Sequence, residues 1–510
     1  MRQIAPGFGW RVGVLQADNA GHHGLFNQSR SGSTVFGVKA KALTQGRVGH
    51  EFAKFEFGPS IPKMGGCKLR FAIRPVHKKS RRISNRRGCY VYDQSFNRRT
   101  LERVFQKGDF RGIAAANHEL FKDDRLADAE AAALSIFGTA PNPLASFNLR
   151  GKAIFCLSNL ATELVARKLS SNLKRLVKPN DRGRSAIVGK LHLLLEEGIP
   201  FRVYRLDIKS FYESFTNTEV AAKIDQLAAL SPHSKSLVHS LLANHKEMGG
   251  AGVPRGLALG AILSDLMMED FDRDIFSNHN VYFYARYVDD IIVITSCQEQ
   301  VMLFTHRIKA ALPAGLELNL NKKTIVDAPK RVAPKMPPIK QKLLRFDYLG
   351  YCFSVYEPEK RGKKKELTYL RTVTVDIANS KVKKIKTRII RSFLEFNQTS
   401  DWSLLYDRIQ FLTQNFSVYN SKVGSKKLAG IFYSYPEVTE AATSVIQLDC
   451  FLRNAALSKK GKLFSQTSLK LSGKQKRSIL TQSFVRGHES KSFVYFPGQR
   501  IKQIQECWIN

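Results

Sequence analysis

Apolar and polar positions change period several times along the chain, and those changes outline its parts. Residues 1–60 are rich in Gly, Ser and Asn, show little periodicity and read as irregular. An Ala-rich stretch over 115–137 predicts a helix. Apolar residues recur at helical spacing from Lys152 to Leu176, and Lys190 to Glu197 reads as another helix. Near residue 200 the pattern switches. Phe201 to Ile208 predicts a strand, Thr218 to Leu230 a helix with a polar cap, and Leu257 to Met268 a helix. Val281 to Tyr287 and Ile291 to Thr295 are two β-rich runs joined by a tight polar turn, the pattern of a hairpin. Residues 327–342, with their Pro and Lys, and the charged run 357–366 are expected to be irregular. From Ala378 to Phe393 the chain predicts an amphipathic helix, with Val382, Ile385, Ile389 and Phe393 on one face. The last 110 residues read as mostly helical, and no internal repeat is visible.

Charge changes the picture more than overall composition does. The 510 residues carry 81 Lys and Arg against 43 Asp and Glu, a formal net charge of +38. Solubility alone does not need so large an excess of one sign, and it points to a polyanionic partner. The excess is segregated. Residues 1–199 carry 34 basic and 15 acidic residues, 200–300 carry 9 and 13, and 301–510 carry 38 and 15. An acidic middle flanked by basic arms suits a carboxylate centre inside a groove that tracks phosphates. Lys381, Lys383, Lys384, Lys386, Arg388 and Arg391 crowd the polar side of the Ala378 helix, with no acid before Glu395. They are candidates for nucleic-acid contact.

Several classes drop out. No apolar stretch approaches the roughly 18 residues that a membrane helix needs, and the N-terminus lacks the apolar core of a secretory signal. Seven cysteines lie far apart without a C-x-x-C pair, which argues against zinc ribbons and disulfide scaffolds and fits a cytoplasmic protein.

The candidate chemistry lies in four ordered segments: Tyr204-Arg-Leu-Asp207-Ile-Lys-Ser-Phe-Tyr212-Glu, Gly252-Val-Pro254-Arg255-Gly256-Leu, Tyr287-Val-Asp289-Asp290, and Leu316-Glu-Leu-Asn319-Leu-Asn-Lys322-Lys323-Thr. Asp207 ends a hydrophobic strand, and Asp289 and Asp290 sit where two strands must turn. Three carboxylates at strand ends can converge at the edge of one sheet. In a basic protein such a cluster is costly unless cations neutralise it. Two Mg²⁺ ions about 3.5–4 Å apart would do so, and would serve an in-line phosphoryl displacement.

This ordered set resembles the palm of reverse transcriptases over about residues 150–360. The resemblance implies catalytic roles for Asp207, Asp289 and Asp290. It implies metal binding by these three and the Ile208 carbonyl, with Mg²⁺, or Mn²⁺ in its place, as cofactor. It places an aromatic ring, Tyr212, under the sugar of an incoming deoxynucleotide. It also assigns nucleotide contacts to Arg255, Gly256 and Lys323, and to Arg182 and Arg184 in Lys178-Pro-Asn-Asp-Arg182-Gly-Arg184-Ser. Phe346-Asp-Tyr-Leu349-Gly350-Tyr resembles the primer grip. Arg255 departs from the family's usual Gln. Pro254-Arg255-Gly256-Leu257 is similar to the segment in prokaryotic defence-associated reverse transcriptases of the abortive-infection and unknown groups.

The expected fold is α+β, a right-hand polymerase. Its expected parts are a basic extension over 1–140, fingers over 141–200, an antiparallel-sheet palm over 201–356, a helical thumb over 365–460 and a basic extension over 461–510. The expected function is RNA-directed DNA synthesis from dNTPs, with a structured noncoding RNA as partner, in antiphage defence. The rival expectations are an intron or retron reverse transcriptase, and an RNA-binding or splicing factor with a silent polymerase domain. No membrane partner is expected, and the oligomeric state is left open.

Overall fold

Two β-rich runs precede the central sheet in the computed structural model, which describes residues 92–138, 142–149, 151–177, 183–329, 341–357, 370–420, 424–440 and 442–508. Strands β1 (Leu144–Leu149) and β2 (Lys152–Leu157) form an antiparallel hairpin, turning at Gly151 with φ +74°. The helical reading of Lys152 to Leu176 is therefore corrected at its start. Lys152–Leu157 is a strand, and the helix runs only over Leu160–Lys174. The six-residue run is too short to show its period, and Asn159, whose side chain caps the helix through the Thr162 N–H, marks the boundary.

The central sheet has four antiparallel strands: β3 (Phe201–Asp207), β4 (Val281–Tyr287), β5 (Asp290–Thr295) and β6 (Thr324–Ala328), in spatial order β4-β5-β3-β6. Both faces are covered, which explains why β5 is a nearly continuous apolar run, whereas Arg202 and Arg205 interrupt the apolar residues of β3. Tyr204, Leu206, Ile291 and Val293 face one core, shared with the helices Leu160–Lys174, Pro232–Glu247 and Ala258–Phe276. Phe201, Val203, Ile292 and Ile294 face a second core. That core is completed by the helix Arg184–Leu195 and by a three-stranded antiparallel sheet, β7 (Lys342–Tyr348), β8 (Tyr351–Tyr356) and β9 (Thr372–Ile377).

The helix expected from Thr218 spans Asn217–Asp225, capped by Thr216. A second helix, Pro232–Glu247, follows it behind the Ser231 cap. The basic amphipathic helix runs over Asn379–Thr399 and buries Val382, Ile389, Phe393 and Phe396 in a third core. Ile479 and Phe484 belong to the same core, so the chain beyond 461 folds together with the preceding helices. Likewise Phe96, Leu101 and Leu126 share the first core with Leu164 and Leu169. The mostly helical C-terminal part also contains an antiparallel hairpin, β10 (Asn415–Asn420) with β11 (Ser425–Gly430). The basic run of Lys78, Lys79, Arg81, Arg82, Arg86 and Arg87, most of the Pro- and Lys-rich 327–342 run and the charged run beyond Glu357 fall outside the described residues. Among the described residues, no helix is long and apolar enough to cross a membrane.

The two-sided burial of β5 is testable. Ile292→Ala removes a fully buried side chain from the second core and should cost about 2–5 kcal/mol in urea unfolding. Tyr282→Ala, on the exposed side of the edge strand β4, should cost less than about 1 kcal/mol.

Candidate active site

The register of β3 against β5 places Asp207 directly opposite Asp290. Directly paired residues on antiparallel strands point to the same face, so two carboxylates stand side by side where the strands end. Asp289 lies in the two-residue turn between β4 and β5, and its carbonyl accepts from the Ile208 N–H at 3.1 Å. The other turn residue, Val288, has φ +60°. That conformation is rare for a β-branched side chain and costs on the order of 1–3 kcal/mol. Arg286 holds it in place. Its side chain is almost fully buried, and it donates to the Val288 carbonyl at 3.1 Å, to both oxygens of Asp272 at 2.8 Å, and to Asp265 at 3.1 Å. The turn is thus tied to the Ala258–Phe276 helix by a buried, paired cation.

Charge around the cluster is unbalanced. Burial, and the negative charge of Asp207, push the Asp289 carboxyl above its ordinary range. Burial and the adjacent Asp289 push Asp290 up to about 6, with Asp207 adding to the effect. Asp207 is itself buried and paired. Lys322 Nζ lies 2.9 and 3.0 Å from its two oxygens, and the Asn319 side-chain amide donates to it at 3.1 Å. Asn319 also donates its backbone N–H to the Asp207 carbonyl at 2.7 Å. Among the described residues, no three His, Cys, Asp or Glu side chains are gathered as a ready-formed metal site. The donor set nevertheless fits a hard divalent cation. It offers three carboxylates, of which Asp289 and Asp290 are raised by their neighbours' charge, and a cation relieves that repulsion.

The remaining candidates are distributed unevenly. Tyr212 and Arg255 come together, with the guanidinium carbon 4.9 Å from the ring centroid. Gly256, with φ +104°, lies against β2, where an added Cβ would meet the Phe155 carbonyl oxygen at 2.6 Å. Arg184, expected at the nucleotide, makes contacts within the protein. Its guanidinium donates to the Leu349 and Ser434 carbonyls at 2.8 and 2.9 Å and stacks over Tyr351 and Tyr435. These contacts join the start of the Arg184–Leu195 helix to the β7–β8 turn. Arg182 lies outside the described residues. The lysine at the aspartates is Lys322. Lys323 Nζ lies instead 3.5 Å from the Thr305 hydroxyl. Lys381, Lys383 and Lys384 are exposed on their helix, whereas Lys386 leans on Phe451 and Arg388 on Trp508. Arg391 is half-buried on the same helix.

Sequence reasoning missed Lys322, Asn319, Glu213 and the Arg286 brace. The last had a signal: an Arg inside the apolar strand β4, with Asp265 and Asp272 seven residues apart on one helix.

Residues 182–353 match the family described as Reverse transcriptase (RNA-dependent DNA polymerase). The match spans β3 to β6 and all three aspartates. No curated protein matches the sequence significantly. Solved structures similar to the chain include an apo telomerase from Candida tropicalis truncated from its C-terminal domain. It is 13% identical with a TM-score of 0.29, over 42% of this chain and 53% of that one. The telomerases of Candida albicans and Candida tropicalis, each in complex with a TWJ fragment of telomeric RNA, are 13% and 12% identical. Their TM-scores are 0.27 and 0.31, over 71% and 72% of this chain and 61% of each of theirs. The chain thus spans about half to three-fifths of the length of these telomerases.

The raised Asp290 carboxyl makes a stability prediction. Its folded value near 6 lies above the ordinary 3.8, so the native state binds the extra proton and stability falls as pH rises between about 4 and 6. Asp290→Asn removes that penalty. At pH 7.5 in a chelator the variant should be more stable than the parent by on the order of 2 kcal/mol, and the gain should vanish below about pH 4. Denaturant unfolding at the two pH values checks this.

Proposed function

We propose that the chain is a right-hand polymerase that makes DNA from dNTPs by nucleotidyl transfer, working on or with RNA. The observation that carries this reading is the opposition of Asp207 and Asp290 across β3 and β5, with Asp289 in the adjoining turn, inside the segment that matches reverse transcriptases. In this reading β3 to β6 form the palm, the helices over 160–195 belong to the fingers, and the Asn379–Thr399 helix opens the thumb. Asp207, Asp289, Asp290 and the Ile208 carbonyl would hold Mg²⁺, which when bound neutralises the charge of an attacking 3′-oxygen and a leaving pyrophosphate.

The chain's own residues supply the rest. Lys322 holds the Asp207 carboxylate by both oxygens. Arg286 and Asp272 keep the Asp289–Asp290 turn in its strained form. The Tyr212 ring lies under the sugar and excludes a 2′-hydroxyl, which makes dNTPs the substrates. Exposed Lys381, Lys383 and Lys384, in a chain of net charge +38, contact the phosphates of the nucleic acid. A structured noncoding RNA partner, a cytoplasmic setting and a role in antiphage defence complete the proposal. The RNA partner and the defence role rest on the Pro254-Arg255-Gly256-Leu257 resemblance, and the cytoplasmic setting on the scattered cysteines.

Purified protein with its co-purifying RNA should incorporate labelled dNTPs in Mg²⁺. Asp289→Ala/Asp290→Ala should lower the rate at least about a thousandfold. Tight RNA binding with no incorporation under any condition would instead favour an RNA-binding protein with a silent polymerase domain.

A further inference from the structure

Arg255 stands where reverse transcriptases usually carry Gln, and its surroundings give it a different task. Its Nε and Nη2 donate to the two carboxylate oxygens of Glu213 at 2.7 and 2.9 Å, a bidentate fork. The same guanidinium lies 4.9 Å from the Tyr212 ring centroid. Both partners are held from the main chain. The Arg255 carbonyl accepts from the Phe155 N–H at 2.8 Å, which ties it to β2. The Tyr212 carbonyl accepts from the Val253 N–H at 2.9 Å. Gly252, with φ +67°, lets the two segments touch, since a Cβ there would meet the Tyr212 carbonyl oxygen at 2.1 Å. The fork uses the guanidinium's directional donors on Glu213 and leaves its flat face to the ring. A planar cation fixed in this way favours one position of the aromatic side chain through cation–π attraction.

We propose that Glu213 and Arg255 form a positioning clamp that fixes the Tyr212 ring and so sets the selection of deoxyribonucleotides over ribonucleotides. This rests on the polymerase reading above. Glu213 touches neither substrate nor reacting atoms in this scheme; it acts through Arg255, and Arg255 through Tyr212. Phe211 packs edge-on to the same ring, with centroids 5.4 Å apart. Tyr212 therefore touches both an apolar neighbour and a cation, and releasing the cation leaves the Phe211 contact in place.

The test compares single-nucleotide incorporation of dNTPs and NTPs by the full chain with its co-purifying RNA. Wild type, Glu213→Gln, Arg255→Lys, Tyr212→Ala and the Glu213→Gln/Tyr212→Ala pair are measured, with thermal unfolding recorded for each. Glu213→Gln and Arg255→Lys should each lower the ratio of kcat/KM for dNTP over NTP about tenfold, the size of one lost cation–π contact in a partly desolvated site. For Glu213→Gln the loss should lie mainly in KM for the dNTP. Tyr212→Ala should lower the ratio further, and adding Glu213→Gln to it should change nothing more, because the clamp acts only through the ring. Arg255→Lys keeps the charge but cannot form the fork, so it carries the test even if Glu213→Gln folds poorly. An unchanged ratio in a folded Glu213→Gln or Arg255→Lys protein, beside an active and selective wild type, overturns the clamp alone. Additive losses in the double variant also overturn it. A wild type that incorporates no nucleotide overturns the polymerase reading, and the clamp with it.

Discussion

Everything in the central region answers to one register. Pairing β3 with β5 so that Asp207 opposes Asp290 puts two like charges side by side, an arrangement that destabilises a sheet. A third carboxylate, Asp289, follows immediately in the turn. The sheet tolerates this because both of its faces are buried, so its register is pinned by the alternation of Tyr204 and Leu206 into one core and Phe201 and Val203 into the other. A slip of one residue would exchange the two cores' side chains. The apolar packing thus holds an electrostatic arrangement that the strands would not choose for themselves.

Polar side chains brace the arrangement from two sides. Arg286 is the larger brace. Its charge is met by Asp272 and Asp265, and its remaining donor fixes the Val288 carbonyl of the positive-φ turn. Removing one partner of so buried a pair leaves an uncompensated charge, which is why it behaves as a scaffold rather than as a reactive group. On the other side, Asn319 and Lys322 hold Asp207 from the segment before β6. The carboxylates are therefore oriented before any ligand arrives. The turn that carries Asp289 includes one strained position, Val288 at φ +60°.

Much of this region was legible in the sequence. The bounds of β3, β4 and β5 came from β-rich runs cut by polar turns, and β5, covered on both faces, announces itself as an apolar run. The convergence of Asp207, Asp289 and Asp290 followed from their places at strand ends. The side chains around them were less legible. Lys322 ends a short 3-10 turn and Lys323 begins an extended segment, so neighbouring lysines point to different partners, and their spacing in a motif cannot tell which one meets the aspartate. Arg184 sits within a basic segment that suits phosphate contact, yet carbonyls and rings more than 160 positions away claim it. The β1–β2 hairpin was hidden inside a stretch whose apolar spacing also suits a helix. Tertiary partners decide the outcome where local pattern allows two.

Metal binding tests most directly the proposed cation site of the three carboxylates. Mn²⁺ titration of the full chain at pH 7.5, followed by electron paramagnetic resonance, reads bound ion without any need for turnover. The account predicts saturable binding by the parent protein that weakens at least about tenfold in Asp207→Asn and in Asp290→Asn. It also predicts that binding weakens as pH falls below about 6, where Asp290 takes up its proton. Equal Mn²⁺ binding by the parent and both variants would contradict it.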